Sequence, residues 1–398
     1  MRSLAWKFAS AALFGVALST ILETQRDNIG RRSTTVDVEV IIQDAAADGI
    51  NLTALPFSAA ALASIQAISI PENMTLPEPG NSSRVDVHVH AVPDWYRELV
   101  PITGQNPTPA WDIQTHLAFM ANNSIKHSIV AISSPGSGVY PGDEASAVGL
   151  ARLLNEWMAA LCRTYPDRFS FYAVIPLPYT TAAIAEANYA LSKLGAVGVI
   201  VLSNHEGKYL GNQHFTPFFA ALNSRNDSRE IVYIHPNEPV LNTNGTIVSA
   251  NPTLYSSGFV EFYFETARTI MDLTLTQTIH NFTNIHYVIP HVGGAFPAIE
   301  DRFLKSFPGL ETRSREIYNT RFWWDSAGPT YFAQVKGLLG YGVPTSQLLF
   351  GTDYPYARAT YEGSIEAIVT ADFVSASEKA GIFYGNARTL FASKIASL

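Results

Sequence analysis

The stretch that most constrains this chain is Arg84 to His90, RVDVHVH. Val85, Val87 and Val89 alternate with Asp86, His88 and His90, the period-2 pattern of a strand whose polar face carries potential ligands. Residues two apart on a strand project to the same side, about 7 Å apart along the chain, so both imidazoles can reach one cation. An HxH pair alone is weak evidence, because it also occurs on ordinary surface strands. Three further polar residues strengthen it, each ending a later apolar run: His235 in IVYIHP, His291 in IHYVIPH and Asp353 in QLLFGTDYP.

From Arg84 onward, short apolar runs alternate with helix-length amphipathic stretches. The expected strands are residues 85–90, 128–133, 169–175, 197–202, 231–235, 285–291, 321–325 and 347–353, and helices are expected at 113–122, 145–165, 181–194, 215–223 and 259–281. Parallel strands with intervening helices, in this number and over this length, predict a (β/α)8 TIM barrel. The rival, a doubly wound open sheet, would want a Gly-rich phosphate turn after an early strand, and none is present. Active sites of such barrels lie at the carboxyl ends of the strands, which is where His88, His90, His235, His291 and Asp353 fall. A core histidine satisfied by backbone carbonyls is the ordinary reading of any one of them, but not of all five together.

With 398 residues, 47% of them apolar, the chain can bury a large core, in one big domain or two. A net charge of -8 argues against nucleic acid or an anionic membrane surface as the main partner. Small acidic substrates remain compatible, because a bound cation reverses the local field. The single cysteine, Cys162, excludes an intramolecular disulfide framework and a cysteine-based zinc site, so any metal would be held by histidines and carboxylates.

Residues 1–19 read as a secretory signal. Arg2 and Lys7 precede an apolar run from Phe8 to Leu18, and Ala17-Leu18-Ser19 offers small residues for cleavage. The run is too short and too broken by Ser10 and Ser19 for a stable membrane span. Seven N-x-S/T sequons, at Asn51, Asn73, Asn81, Asn122, Asn226, Asn244 and Asn281, fit a glycosylated protein of the secretory pathway. Residues 20–83 are expected to form an N-terminal extension or linker: a strand-like run from Val36 to Ile42, an Ala/Ser-rich segment, then PENMTLPEPGNSS. The barrel is expected over 84–398.

Several motifs together resemble the amidohydrolase superfamily, and within it the branch containing aminocarboxymuconate-semialdehyde decarboxylase and the aromatic-acid decarboxylases. They are DVHVHAVPDWY, GVIVLSNHEGKYLGN, YIHPNEP, IPHVGGAFP, WWDSAG, LFGTDYPY and FYGNARTLF, and they run from Val85 to Phe391. The fungal 6-methylsalicylate decarboxylases, which convert a polyketide-derived salicylate to m-cresol, are the most similar in character. The resemblance implies a metal-dependent-hydrolase barrel in which His88, His90, His235 and Asp353 bind one divalent cation, Zn2+ or in some members Mn2+. His291 would stand beside it as an acid/base group or as a group orienting a water. Mixed imidazole and carboxylate ligands suit both ions. The fourth strand, GVIVL, has no lysine that could be carbamylated to bridge two ions, so a single metal is expected.

The chemistry implied is non-oxidative decarboxylation of a small aromatic acid, with Asp353 or His291 delivering the proton. The alternative is hydrolysis of a lactone or amide through a metal-bound water, which the same five residues could serve. An inactive binding subunit would show a broken ligand set, and here every position is filled. Trp111 and Asp325 are expected at the substrate pocket, Trp111 as a stacking wall or as packing, Asp325 as a pocket boundary or as a group orienting a ligand histidine. Some decarboxylases of the branch hold the substrate carboxylate with an arginine near Trp111. None occurs between Arg97 and Arg152, which fits a substrate with one carboxylate. Homodimers are frequent in the branch, but no stretch identifies an interface.

Overall fold

Eight parallel strands in strict chain order form the sheet: β1 (Arg84–His90), β2 (Ile125–Ala131), β3 (Phe169–Val174), β4 (Gly198–Leu202), β5 (Glu230–His235), β6 (Ile285–Ile289), β7 (Phe322–Asp325) and β8 (Leu348–Leu349). The last strand returns to the first. The Val87 N–H donates to the Phe350 carbonyl at 3.0 Å, and Val89 bridges in parallel to Tyr354, which makes the sheet a (β/α)8 barrel. This computed structural model describes residues 36–71, 84–225, 229–328, 331–356, 361–391, 393–395 and 397–398. The proposed signal at residues 1–19 and most of PENMTLPEPGNSS lie outside the described residues. Asp37–Leu398 is one compact unit. No helix among the described residues is long and apolar enough to cross a membrane.

Helices Ile113–Asn122, Glu144–Thr164, Thr180–Tyr189, Thr216–Asn223, Glu261–Leu275 and Phe296–Lys305 follow strands in turn. Asp112 and Asp143 cap two of them, their carboxylates accepting from the backbone N–H of Thr115 and Ser146. Glu144–Thr164 is buried on nearly every face, which a helix lying only on a barrel would not be. Its second face is covered by the N-terminal extension.

The extension contains no strand among its described residues. The run expected to be extended, Val36 to Ile42, instead enters a helix, Val38–Ala47. Asp37 caps it by accepting from the Glu39 N–H, and the good helix formers Gln43 to Ala47 carry it on. Ile41 and Ala45, four apart, form its buried face. Local capping and composition outweigh the β-branched alternation. A second helix, Ser58–Ile68, lies on Glu144–Thr164. The Trp157 indole N–H donates to Ser64 Oγ at 3.0 Å, and Thr164 Oγ1 donates to the Ile68 carbonyl at 3.0 Å. Arg152, buried beneath, reaches Glu186 at 2.9 Å and Asp48 of the extension at 2.8 Å, with its guanidinium 3.6 Å from the Tyr189 ring centroid.

The Arg152–Glu186 pair is almost fully buried, whereas Asp48 is 46% exposed. Arg152→Ala is therefore expected to lower stability by about 3–5 kcal/mol, because it leaves the Glu186 carboxylate buried without its partner. Asp48→Ala is expected to cost at most about 1 kcal/mol. Denaturant titration of both variants checks this, and equal losses would show that the pair is not what matters.

Candidate metal centre

Five side chains from four regions of the barrel meet at its carboxyl end. His88 and His90 come from β1, His235 ends β5, His291 follows β6 after Pro290, and Asp353 lies in the loop after β8. The His90 ring centroid is 5.4 Å from that of His88 and 4.9 Å from that of His235, and His88 and His291 lie 4.9 Å apart. Asp353 Oδ1 is 3.4 Å from His88 Nε2 and 3.2 Å from His90 Nε2, and Asp353 Oδ2 is 3.9 Å from His291 Nε2. Ligand atoms of His88, His90 and His235 lie within 4.8 Å of one another, as do those of His88, His291 and Asp353.

The surrounding groups point the ring nitrogens inward. His88 Nδ1 donates to Asp325 Oδ2 at 2.9 Å, and His235 Nδ1 donates to the Pro236 carbonyl at 2.7 Å. Each bond fixes the tautomer of the neutral ring, in which the Nε2 lone pair faces a cation. His88 Nε2 is buried and makes no hydrogen bond. A donor set of imidazole lone pairs and one carboxylate, sequestered from water, fits a divalent cation.

The backbone is strained to bring these groups together. His291 and Val292 have φ of 54°, and Asp353 has φ of 60°, in the left-handed region that side-chain-bearing residues seldom enter. Local hydrogen bonds hold them: the His291 N–H donates to Asp325 Oδ1 at 3.0 Å, and the Asp353 N–H to the His88 carbonyl at 2.8 Å. Gly293 and Gly294 continue the turn at φ of 84° and 59°. Gly351 is needed for closeness, since a Cβ there would stand 2.7 Å from the His88 Cβ.

Burial pushes the His90 pKa down against the pull of Asp353, and burial with cationic neighbours pushes His235 well down. Both imidazoles are therefore neutral ligands near neutral pH. His88 behaves oppositely. Burial would lower it, but the Asp325 carboxylate, and then Asp353, raise it to about 10. Burial likewise would raise Asp353, yet the imidazoles of His291, His88 and His90 hold it well below the usual carboxylate range. Without metal the centre keeps a proton on His88, which a cation must displace. Exposure defines the way in: His88 and His90 are at 0% and 1%, Asp353 at 20%.

Asp325 accepts from His88 Nδ1, the contact expected of a group that orients a ligand histidine. Trp111 donates its indole N–H to His116 Nδ1 at 2.9 Å and meets Trp157 edge-on at 5.4 Å, contacts of the packing kind. Arg97 pairs with Asp94 on the surface. Asn204, His205 and Glu206 are held by Glu265, by the Leu202 N–H and by the Gly142 N–H, so that loop is fixed by its own polar contacts. Three neighbours were not legible as site residues. Asp86 accepts from the N–H groups of His88 and Thr352 and from Thr352 Oγ1, tying β1 to the Asp353 loop. Tyr356 sits edge-on to His90 at 5.2 Å, and Tyr263 stacks on His291 at 5.3 Å. Asp86 shares the period-2 polar face and Tyr356 the Asp353 motif, but nothing in the sequence marks Tyr263.

A (β/α)8 barrel with one divalent-metal centre at the carboxyl ends of its strands is the class that fold and site define. The chain belongs to the amidohydrolase family, whose model matches residues 85–392. It is 30% identical over 289 residues to the decarboxylase yanB of Aspergillus niger, covering 69% of this chain and 77% of that one. It is 28% identical over 289 residues to the 6-methylsalicylic acid decarboxylase of Penicillium expansum, covering 69% and 86%. Among solved structures it is similar to 5-carboxyvanillate decarboxylase of Novosphingobium aromaticivorans, complexed with manganese and 4-hydroxy-3-methoxy-5-nitrobenzoic acid. The TM-score is 0.67 at 19% identity, over 80% of this chain and all of that one, a likeness of fold.

Because the cation displaces the His88 proton, apparent affinity for a divalent metal is expected to rise up to about tenfold per pH unit from pH 6 to 8, with proton release. Asp325→Asn is expected to weaken binding about 10–100-fold. It also shifts the proton-linked window to lower pH, since Asp325 is the main group raising His88. Calorimetry in buffers of different ionisation enthalpy reads both; pH-independent affinity would contradict the assignment.

Proposed function

We propose that the protein is a metal-dependent carboxy-lyase that removes the carboxyl group of a small salicylate-type aromatic acid, such as 6-methylsalicylate, releasing carbon dioxide and a phenol. The similarity to decarboxylases, among them a 6-methylsalicylic acid decarboxylase, carries this reading over hydrolysis. The ligand set itself would serve either.

In this reading His88, His90, His235 and Asp353 hold one ion, Zn2+ first and Mn2+ as the alternative. When bound, the ion supplies a Lewis acid that draws charge from the carboxylate and the ortho phenolic oxygen. The His291–Asp353 pair, at the exposed edge of the centre, delivers a proton to the ring carbon bearing the carboxylate. The carbon–carbon bond then breaks, its electron pair restores the aromatic ring, and carbon dioxide leaves. Solvent returns the proton to the pair through the same edge. Asp325 keeps both the His88 ring and the backbone of His291 in register for this transfer.

We also propose entry into the secretory pathway and N-glycosylation. The supports are the apolar run Phe8 to Leu18 and the sequons, of which Asn51, Asn122, Asn244 and Asn281 are exposed.

Two measurements test these readings. Metal-replete enzyme given a panel of salicylates, resorcylates and lactones is expected to release carbon dioxide from an ortho-hydroxybenzoate and, in heavy water, to leave deuterium on the vacated carbon. His291→Asn is expected to lower kcat about 10²–10⁴-fold with metal retained, and Asp353→Asn to lose metal as well. Ring-opened acids without carbon dioxide would establish the hydrolase instead. For the second proposal, protein made by a eukaryotic host is expected to gain mobility on treatment with an N-glycan-removing enzyme; no shift would overturn it.

A further inference from the structure

Beside the metal centre lies a cavity of about 340 Å³, walled by the loops after β1, β2, β3, β4 and β5. None of the five centre residues is among its lining, and it reaches towards them through Asn237 and Ser134. Asn237, two residues past His235, accepts from Ser134 Oγ at 2.6 Å, and Thr103 Oγ1 donates to the Ser134 carbonyl at 3.3 Å. One residue further, Ser133 Oγ accepts from the hydroxyl of Tyr356, the ring set edge-on to His90.

The rest of the wall is largely apolar, including Leu99, Val100, Val139, Leu177 and Leu202. Part of the wall comes from a hairpin, Val240–Thr243 with Thr246–Ser249, whose register explains the lining. Val240 pairs with Ser249 and Asn242 with Ile247, so Val240 and Ile247 share one face, and both line the cavity. Leu241 and Val248, on the other face, are 59% and 41% exposed.

Volume and charge then limit what the cavity can take. A cavity of about 150 Å³ already accommodates a benzene ring, and this one is more than twice that size. Among the described residues no lysine or arginine lines it, and the charged side chains on its wall are Glu206 and Glu238. Their carboxylates already accept from the Gly142 N–H at 2.8 Å and from Ser257 Oγ at 2.5 Å. A second carboxylate or a phosphate there would face the like charge of Glu206 and Glu238, whereas a hydrocarbon chain would exchange water for apolar side chains.

We propose that the preferred substrate is a ring acid bearing an alkyl chain of several carbons, with the chain lying in this cavity and the carboxylate at the metal centre. This rests on the decarboxylase reading and deepens it by naming the substituent. A single methyl group would leave much of the cavity without contacts. Each added methylene buried there strengthens binding about fourfold, from about 0.8 kcal/mol per CH₂.

The test uses metal-replete full-length protein and two series of salicylates, alkylated at carbon 6 or at carbon 4, from methyl to heptyl. In one series kcat/KM is expected to climb about fourfold per methylene until the cavity is full. Val139→Trp, which fills it, is expected to collapse the ratio of heptyl to methyl kcat/KM towards one. A flat or falling kcat/KM in both series, with carbon dioxide still released, would overturn the alkyl-chain proposal and leave the decarboxylase standing. If no member releases carbon dioxide, the decarboxylase reading fails, and calorimetric binding of the same acids decides the cavity's role. Affinity that grows with chain length and is lost in Val139→Trp keeps the assignment; affinity indifferent to length rejects it.

Discussion

One buried carboxylate sets the geometry of the centre. Asp325 is wholly removed from solvent, where an ionised carboxylate is tolerated only if its lone pairs are satisfied. They are, by His88 Nδ1 and by the N–H groups of His291 and Ala327. The bond to His88 aims a ligand nitrogen at the cation. The bond to His291 holds a residue in a left-handed conformation that costs about 1–3 kcal/mol, and a hydrogen bond to a charged acceptor contributes about 1.5–3 kcal/mol. The two are of the same size, so the carboxylate beneath the turn offsets the cost of presenting His291 in it.

A parallel arrangement closes the barrel. β8 is only two residues long, and its continuation bends away at Asp353 instead of running on as a strand. What keeps that bend against β1 is Asp86, which accepts from both His88 and Thr352, together with the His88 carbonyl, which accepts from Thr352 and Asp353. Asp86, outside the ligand set, thus fixes the register between the first and last strands, and with it the distance from the β1 histidines to Asp353. Gly351 permits the approach, since any side chain there would collide with His88.

The convergence of His88, His90, His235, His291 and Asp353 was legible in the sequence because each ends an apolar run, and in a parallel barrel all such ends gather on one face. The strand boundaries were less so. β6 and β8 stop short of His291 and Asp353, because positive φ at those residues leaves the extended conformation, and no residue type announced it. The helix at Val38–Ala47 was hidden for a different reason. Its valines alternate as in a strand, and only the Asp37 cap and the alanines that follow decide for the helix. Tyr263 was invisible because its stacking on His291 depends on how Glu261–Leu275 docks, a tertiary fact without a local signature.

Since these five residues would serve a hydrolase as well as a decarboxylase, specificity must come from what surrounds them. Asp353, at 20%, and His291, at 7%, are the more exposed members of the centre, and His88 and His90 are buried. An acid arriving at the Asp353 and His291 edge would meet a bound cation as the attractive charge, because among the described residues the neighbouring cavity offers carboxylates and apolar walls but no lysine or arginine. Binding energy from the cavity falls on a part of the substrate that does not react, where it can be used to hold the carboxylate-bearing carbon against the proton donor. A substrate gripped at one end by the metal and at the other by hydrocarbon is oriented by two unlike forces, and only one of them is sensitive to pH.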